Sequence, residues 1–77
     1  MTTVIEEAVA RACLPAPQER RRLRVEVARQ SQRRLARELE VSAQAVCFWE
    51  AGKRTPRGDN LLRYVDLLAQ LRQLESL

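Results

Sequence analysis

The sequence predicts an all-α fold, a compact five-helix bundle forming one domain over residues 1–77. Three observations lead there. Ala, Leu, Arg, Glu and Gln dominate, and these are strong helix formers, whereas the chain has only two glycines and three prolines in 77 residues. Apolar residues recur at steps of three and four in successive short segments. Between those segments stand helix-stopping or helix-capping residues: Pro15 and Pro17, Ser31, Ser42, and the stretch from Gly52 to Gly58. A chain of this length builds one modest core and often gains stability from a partner.

The first helix, an accessory element within residues 1–14, starts after Thr2 or Thr3. Thr3 and Glu6 have the spacing of a capping box, and Glu7 suits the positive end of the helix dipole. Val4 or Ile5, Ala8, Val9, Ala12 and Cys13 form its expected inward stripe. Pro15 and Pro17 end it. The second helix is expected from about Gln18 to Ala28 or Arg29, with Leu23 and Val27 inward and Arg20, Arg21, Arg22 and Arg24 set around it for solvent or phosphate. Ser31 caps a third helix that carries Gln32 in its first turn and Leu35, Ala36 and Leu39 on its buried side.

Val41-Ser42 makes a turn, and Ser42 caps a fourth helix over Ala43 to Ala51. Val46 and Trp49 point inward, and Gly52 closes the helix in a left-handed conformation. Lys53 to Gly58 form a basic loop, and Asp59 or Asn60 is expected to cap the last helix, within residues 59–77. There Leu61, Val65 and Leu68 can face the core. Tyr64, Leu67, Leu71 and Leu74 make a second apolar stripe, which nominates Leu67, Leu71 and Leu74 for a dimer contact. The first helix could instead cover that stripe within one chain.

The net charge of +4 lies in the middle of the chain, since both terminal segments are slightly acidic. A basic centre suits a nucleic-acid footprint, though a solvated helix surface would look the same. Thirteen of the fourteen basic residues are Arg, which grips phosphates and guanine edges bidentately. A GC-rich genome would produce the same bias. Cys13 and Cys47 are far apart and there is no His, so zinc-finger spacing is excluded and no metal or cofactor is expected. Both thiols read as small fillers. Paired acids and a Gly-rich phosphate loop are also missing, which argues against an enzyme. No run is long and apolar enough for a membrane span.

Residues 31–58 join two short helices through a tight turn and add a basic loop, the pattern of a helix-turn-helix. Leu35, Ala36, Leu39, Val41, Val46 and Trp49 supply its packing face, leaving Ser42, Ala43, Gln44 and Phe48 free to meet base edges in the major groove of duplex DNA. Gln can pair bidentately with adenine, and Ala or Phe can touch a thymine methyl. Phe48 could equally pack within the domain.

The stretch resembles the helix-turn-helix family of Cro and the lambda-type phage repressors, also called the xenobiotic-response-element family. Ser31-Gln32, Leu35-Ala36, Val41-Ser42, Val46, Trp49-Glu50, Gly52 and Pro56 carry the resemblance. It implies a lambda-repressor-like bundle in which Gln32, Lys53, Arg54 and Arg57 lie at phosphates. It also implies that Glu50 pairs with an Arg of the preceding long helix, Arg24 or else Arg21. Four positions depart from the pattern. Arg29-Gln30 replaces a usual Gly-Leu, Glu40 stands where Gly is frequent, Cys47 replaces Ser, and Phe48 is unusually large.

The expectation is a sequence-specific duplex-DNA-binding transcriptional regulator, a repressor that acts by occupying its operator as a homodimer. Its setting would be the bacterial cytoplasm or nucleoid, with a phage gene as one source. Two alternatives stay open: the DNA-binding antitoxin of a toxin–antitoxin pair, and a module that binds a protein partner through the C-terminal helix.

Overall fold

Helix boundaries fall where capping chemistry sets them. The computed structural model describes residues 2–77 and contains helices α1 (Val4–Cys13), α2 (Pro17–Arg22), α3 (Gln32–Leu39), α4 (Ala43–Ala51) and α5 (Gly58–Glu75). Between α2 and α3, α2 runs directly into a π-helical segment, Leu23–Ala28. No strand occurs among the described residues. The Thr3–Glu6 capping box is closed in both directions, at 3.1 and 3.3 Å. Ser31 Oγ accepts from the Arg34 N–H and Ser42 Oγ from the Ala45 N–H, each at 3.1 Å. Pro17 takes the first position of α2, where its missing N–H costs no hydrogen bond.

Three helices end on left-handed residues: Arg29 at φ 54°, Glu40 at φ 58° and Gly52 at φ 74°. Glycine is required at the last of these. A Cβ on Gly52 would lie 3.1 Å from Pro17 Cγ, so the α4 terminus packs directly on the α2 start. Arg29 and Glu40 hold the same conformation without a glycine, which places strain at two of the four departures from the family pattern.

The core joins Leu23, Leu35, Ala36, Leu39, Val46, Trp49, Tyr64, Leu68 and Leu71. Trp49 is buried as expected, with its ring centroid 4.9 Å from that of Tyr64. The α5 reading needs correction. Leu61, Tyr64, Leu68 and Leu71 form one buried stripe, while Val65 and Leu67 are half-buried at its margins. Of the three dimer candidates, Leu71 is core, Leu67 packs against it, and only Leu74 is exposed. The reason is that α5 is covered by α1, the π-helical segment and α3 together.

The stripe expected on α1 also turns out differently. Ala10 is its buried residue, while Val4 and Ile5 are 85% and 75% exposed, and Ala8, Val9, Ala12 and Cys13 are exposed too. Thr3, Glu7, Ala10 and Leu14 lie along the other face, and a polar tie fixes that rotation: Glu7 Oε1 accepts the Gly58 N–H at 3.2 Å. The same carboxylate supplies the partner that the start of α5 lacks locally. Arg57 is the N-cap residue there and makes no side-chain cap, so neither Asp59 nor Asn60 holds that position. Cys47 is exposed like Cys13, so neither thiol is a core filler.

Candidate nucleic-acid interface

The sequence of α4 divides its surface into two sides. Val46, Trp49 and Glu50 are buried, and Gln44, Cys47 and Ala51 make an outward row at helical spacing. Ser42 fixes where the helix begins and Gly52 where it ends, so the row stands in a defined place. Beyond Gly52 the chain folds back, and the N–H groups of Lys53 and Arg54 both donate to the Phe48 carbonyl, at 3.0 and 3.4 Å. Pro56 is buried and pins the loop, leaving Lys53, Arg54 and Arg57 exposed.

Buried charges hold α4 from behind. Arg24 grips Glu50 with two hydrogen bonds, Nε to Oε2 at 2.6 Å and Nη2 to Oε1 at 3.0 Å, and Gln32 Nε2 adds a third at 3.1 Å. Arg24, rather than Arg21, is therefore the partner of Glu50. Arg24 also donates to the Gln30 carbonyl at 2.9 Å, which ties the end of the π-helical segment into the same network. Arg20 is buried, not solvated. Its Nη1 donates to the Trp49 carbonyl at 2.8 Å and its Nε to the Pro15 carbonyl at 2.7 Å. Burial draws its pKa below the usual arginine range. A cation at the C-terminal end of α4 also complements the helix dipole.

In front of α4 lies an open groove of about 750 Å³. Ser42, Gln44 and Phe48 line it together with Lys53, Arg54 and Arg57 from the loop. The Arg54 guanidinium sits 5.3 Å from the Phe48 ring centroid, a cation–π contact that makes Phe48 a platform for a basic side chain. Among the described residues, four cations and no carboxylate line the groove, the fourth cation being Arg11 of α1. Such a lining favours an anionic partner.

Six of the eight expected contact residues are thus brought together. Ala43 is not among them, being half-buried against the core. Gln32 is not either, since it does not line the groove and one of its amide N–H groups is committed to Glu50. Arg11 and Asn60 line the groove without having been expected there. The one signal for Arg11 was that it is the only basic residue of the first helix. Cys47 stands exposed in the outward row, on the side of α4 away from Val46 and Trp49.

A sequence model described as helix-turn-helix matches residues 25–73. No curated protein and no solved structure gives a match. With the match covering most of the chain, and with Ser42-capped α4 seated on the Arg24–Glu50–Gln32 network, the chain belongs to the Cro and lambda-repressor-type helix-turn-helix family of DNA-binding regulatory proteins.

Proposed function

We propose that the protein is a sequence-specific duplex-DNA-binding transcriptional repressor that acts by occupying its operator as a dimer. One observation carries the reading: a single acid-free groove gathers Ser42, Gln44 and Phe48 with Lys53, Arg54 and Arg57. In this reading α4 enters the major groove, Gln44 reads a base edge, and the loop cations meet phosphates on the flanking backbone. The second N–H of the Gln32 amide is available for a phosphate at the start of α3. With two copies, the recognition helices would meet half-sites about one helical turn apart.

Binding of a protein partner in place of DNA is a second reading, favoured by the exposed Val4, Ile5 and Val9 on α1 and Leu74 on α5. Selection from a randomised duplex library at two salt concentrations separates the two. An enriched inverted repeat supports the repressor dimer. Weak binding even at low salt, without enrichment, moves the function to the protein partner. Within the DNA reading, Gln44→Ala relaxes base preference. Arg54→Ala weakens all sequences alike and lowers the salt slope by about 0.9. Equal loss of specificity in both variants would remove that division of roles.

A further inference from the structure

We infer that α1, which lies outside the stretch matched to the family, is a working part of the DNA-binding surface and delivers Arg11 to a backbone phosphate. The inference rests on the DNA-binding reading above and extends it to an element whose sequence pattern suggested only packing.

Arg11 lines the same groove as Gln44 and the loop cations, although it is more than thirty positions away in sequence. Its side chain is 55% exposed and makes one hydrogen bond among the described residues, from Nη2 to Glu7 Oε1 at 3.3 Å. The other guanidinium N–H groups have no partner among those residues, so the fork remains free for a phosphate. Glu7 does more than pair with it. The same oxygen accepts the Gly58 N–H at the end of the basic loop, so one carboxylate fixes Arg11 relative to Lys53, Arg54 and Arg57. Docking α1 on α5 also turns its apolar side chains outward, which packing economy alone would not favour. The arrangement adds a cation from a second element to the groove that the loop cations line. Phosphate is the chemistry that fits an open lining of four cations whose neighbouring carboxylate, Glu7, is already engaged by Arg11 and the Gly58 N–H.

The test is a salt titration of binding to a mixed-sequence duplex with Arg11→Gln, Arg11→Lys and the control Arg72→Gln, an arginine outside the groove. Thermal melts establish that each variant is folded. Arg11→Gln should bind several-fold more weakly, with the slope of log affinity against log salt reduced by about 0.9. Arg11→Lys should restore the slope, and Arg72→Gln should leave it unchanged. If the wild-type protein shows a steep slope and Arg11→Gln shares it, α1 has no phosphate contact and the inference fails alone. If Arg11→Gln and Arg72→Gln lower the slope equally, net charge is the cause and the inference also fails. A wild-type protein without salt-dependent binding overturns the DNA-binding reading and this inference together.

Discussion

Glu50 carries a carboxylate into a site where its side chain is only 3% exposed, and Arg24, at 11%, is nearly as deep. Two hydrogen bonds from Arg24 and one from Gln32 offset the desolvation of both charges. Removing one partner leaves the other charge buried alone. Glu50→Ala should therefore lower unfolding stability by about 3–5 kcal/mol, measured by urea denaturation. A loss well under that range would mean that water reaches Arg24. Tyr64 presents the opposite case. Its ring is fully buried against Trp49, and its hydroxyl has no hydrogen-bond partner among the described residues. Burial pushes its pKa further above its ordinary, already alkaline value. Tyr64→Phe removes an unsatisfied polar atom and should raise stability by about 1 kcal/mol. A lower melting temperature would reveal a bond that the hydroxyl makes after all. Residue identity foretold the Arg24–Glu50 pair only through resemblance. It did not distinguish buried Arg20 from exposed Arg21, because which arginine turns inward is decided by the Trp49 and Pro15 carbonyls it meets in the folded chain.

Elements whose ends are written in local chemistry were legible, and those fixed by distant contacts were not. Thr3, Ser31 and Ser42 cap the helices they were expected to cap, because a cap needs only residues three positions on. The rotation of α1 depends on Glu7 meeting Gly58, and no periodicity within α1 records that contact. The same contact starts α5 earlier than Asp59 or Asn60 would. Periodicity did place Tyr64 and Leu71 on one face of α5, but it could not say that the rest of the chain covers that face. The π-helical segment was invisible as well, since its Leu, Arg, Val, Glu and Ala residues all suit an ordinary helix. Its end at Arg29 offers a test. The side chain is exposed and makes no described hydrogen bond, while the backbone sits at φ 54°. Arg29→Gly should relieve left-handed strain of about 1 kcal/mol, partly offset by the entropy of the unfolded glycine. The expected result is a higher urea midpoint at an unchanged slope. A lower midpoint would assign Arg29 a contact beyond its backbone role.

Across the whole molecule the arginines fall into separate tasks that a net charge of +4 conceals. Arg20 is a buried strut and Arg24 a half-buried one, Arg11 and Arg54 face the groove, and Arg22 and Arg63 tie helices to one another. Arg22 bridges Glu75 near the end of α5, at 2.6 and 2.9 Å, and Glu19 on its own helix, at 2.5 Å. Charge counting registered the basic centre of the chain but could not separate cations held by carboxylates from those free for phosphate. The Arg22 guanidinium lowers the pKa of both Glu19 and Glu75 below the ordinary carboxylate range. Their folded pKa values thus lie beneath the unfolded ones, so the stabilisation is fully present above about pH 4.3 and is lost as pH falls through the folded values. Because the cluster is exposed, the effect should be modest and largest at low ionic strength. Acidification should loosen the last turns of α5 before the Trp49–Tyr64 core gives way. Amide exchange resolved by residue can follow this, with protection near Leu74 falling ahead of that near Leu61. In Arg22→Ala most of the extra acid sensitivity near Leu74 should disappear, because Arg22 is the main cause of the lowered pKa values and only the weaker pull of Arg72 remains. If it persists in that variant, the acid-sensitive contact lies elsewhere on α5.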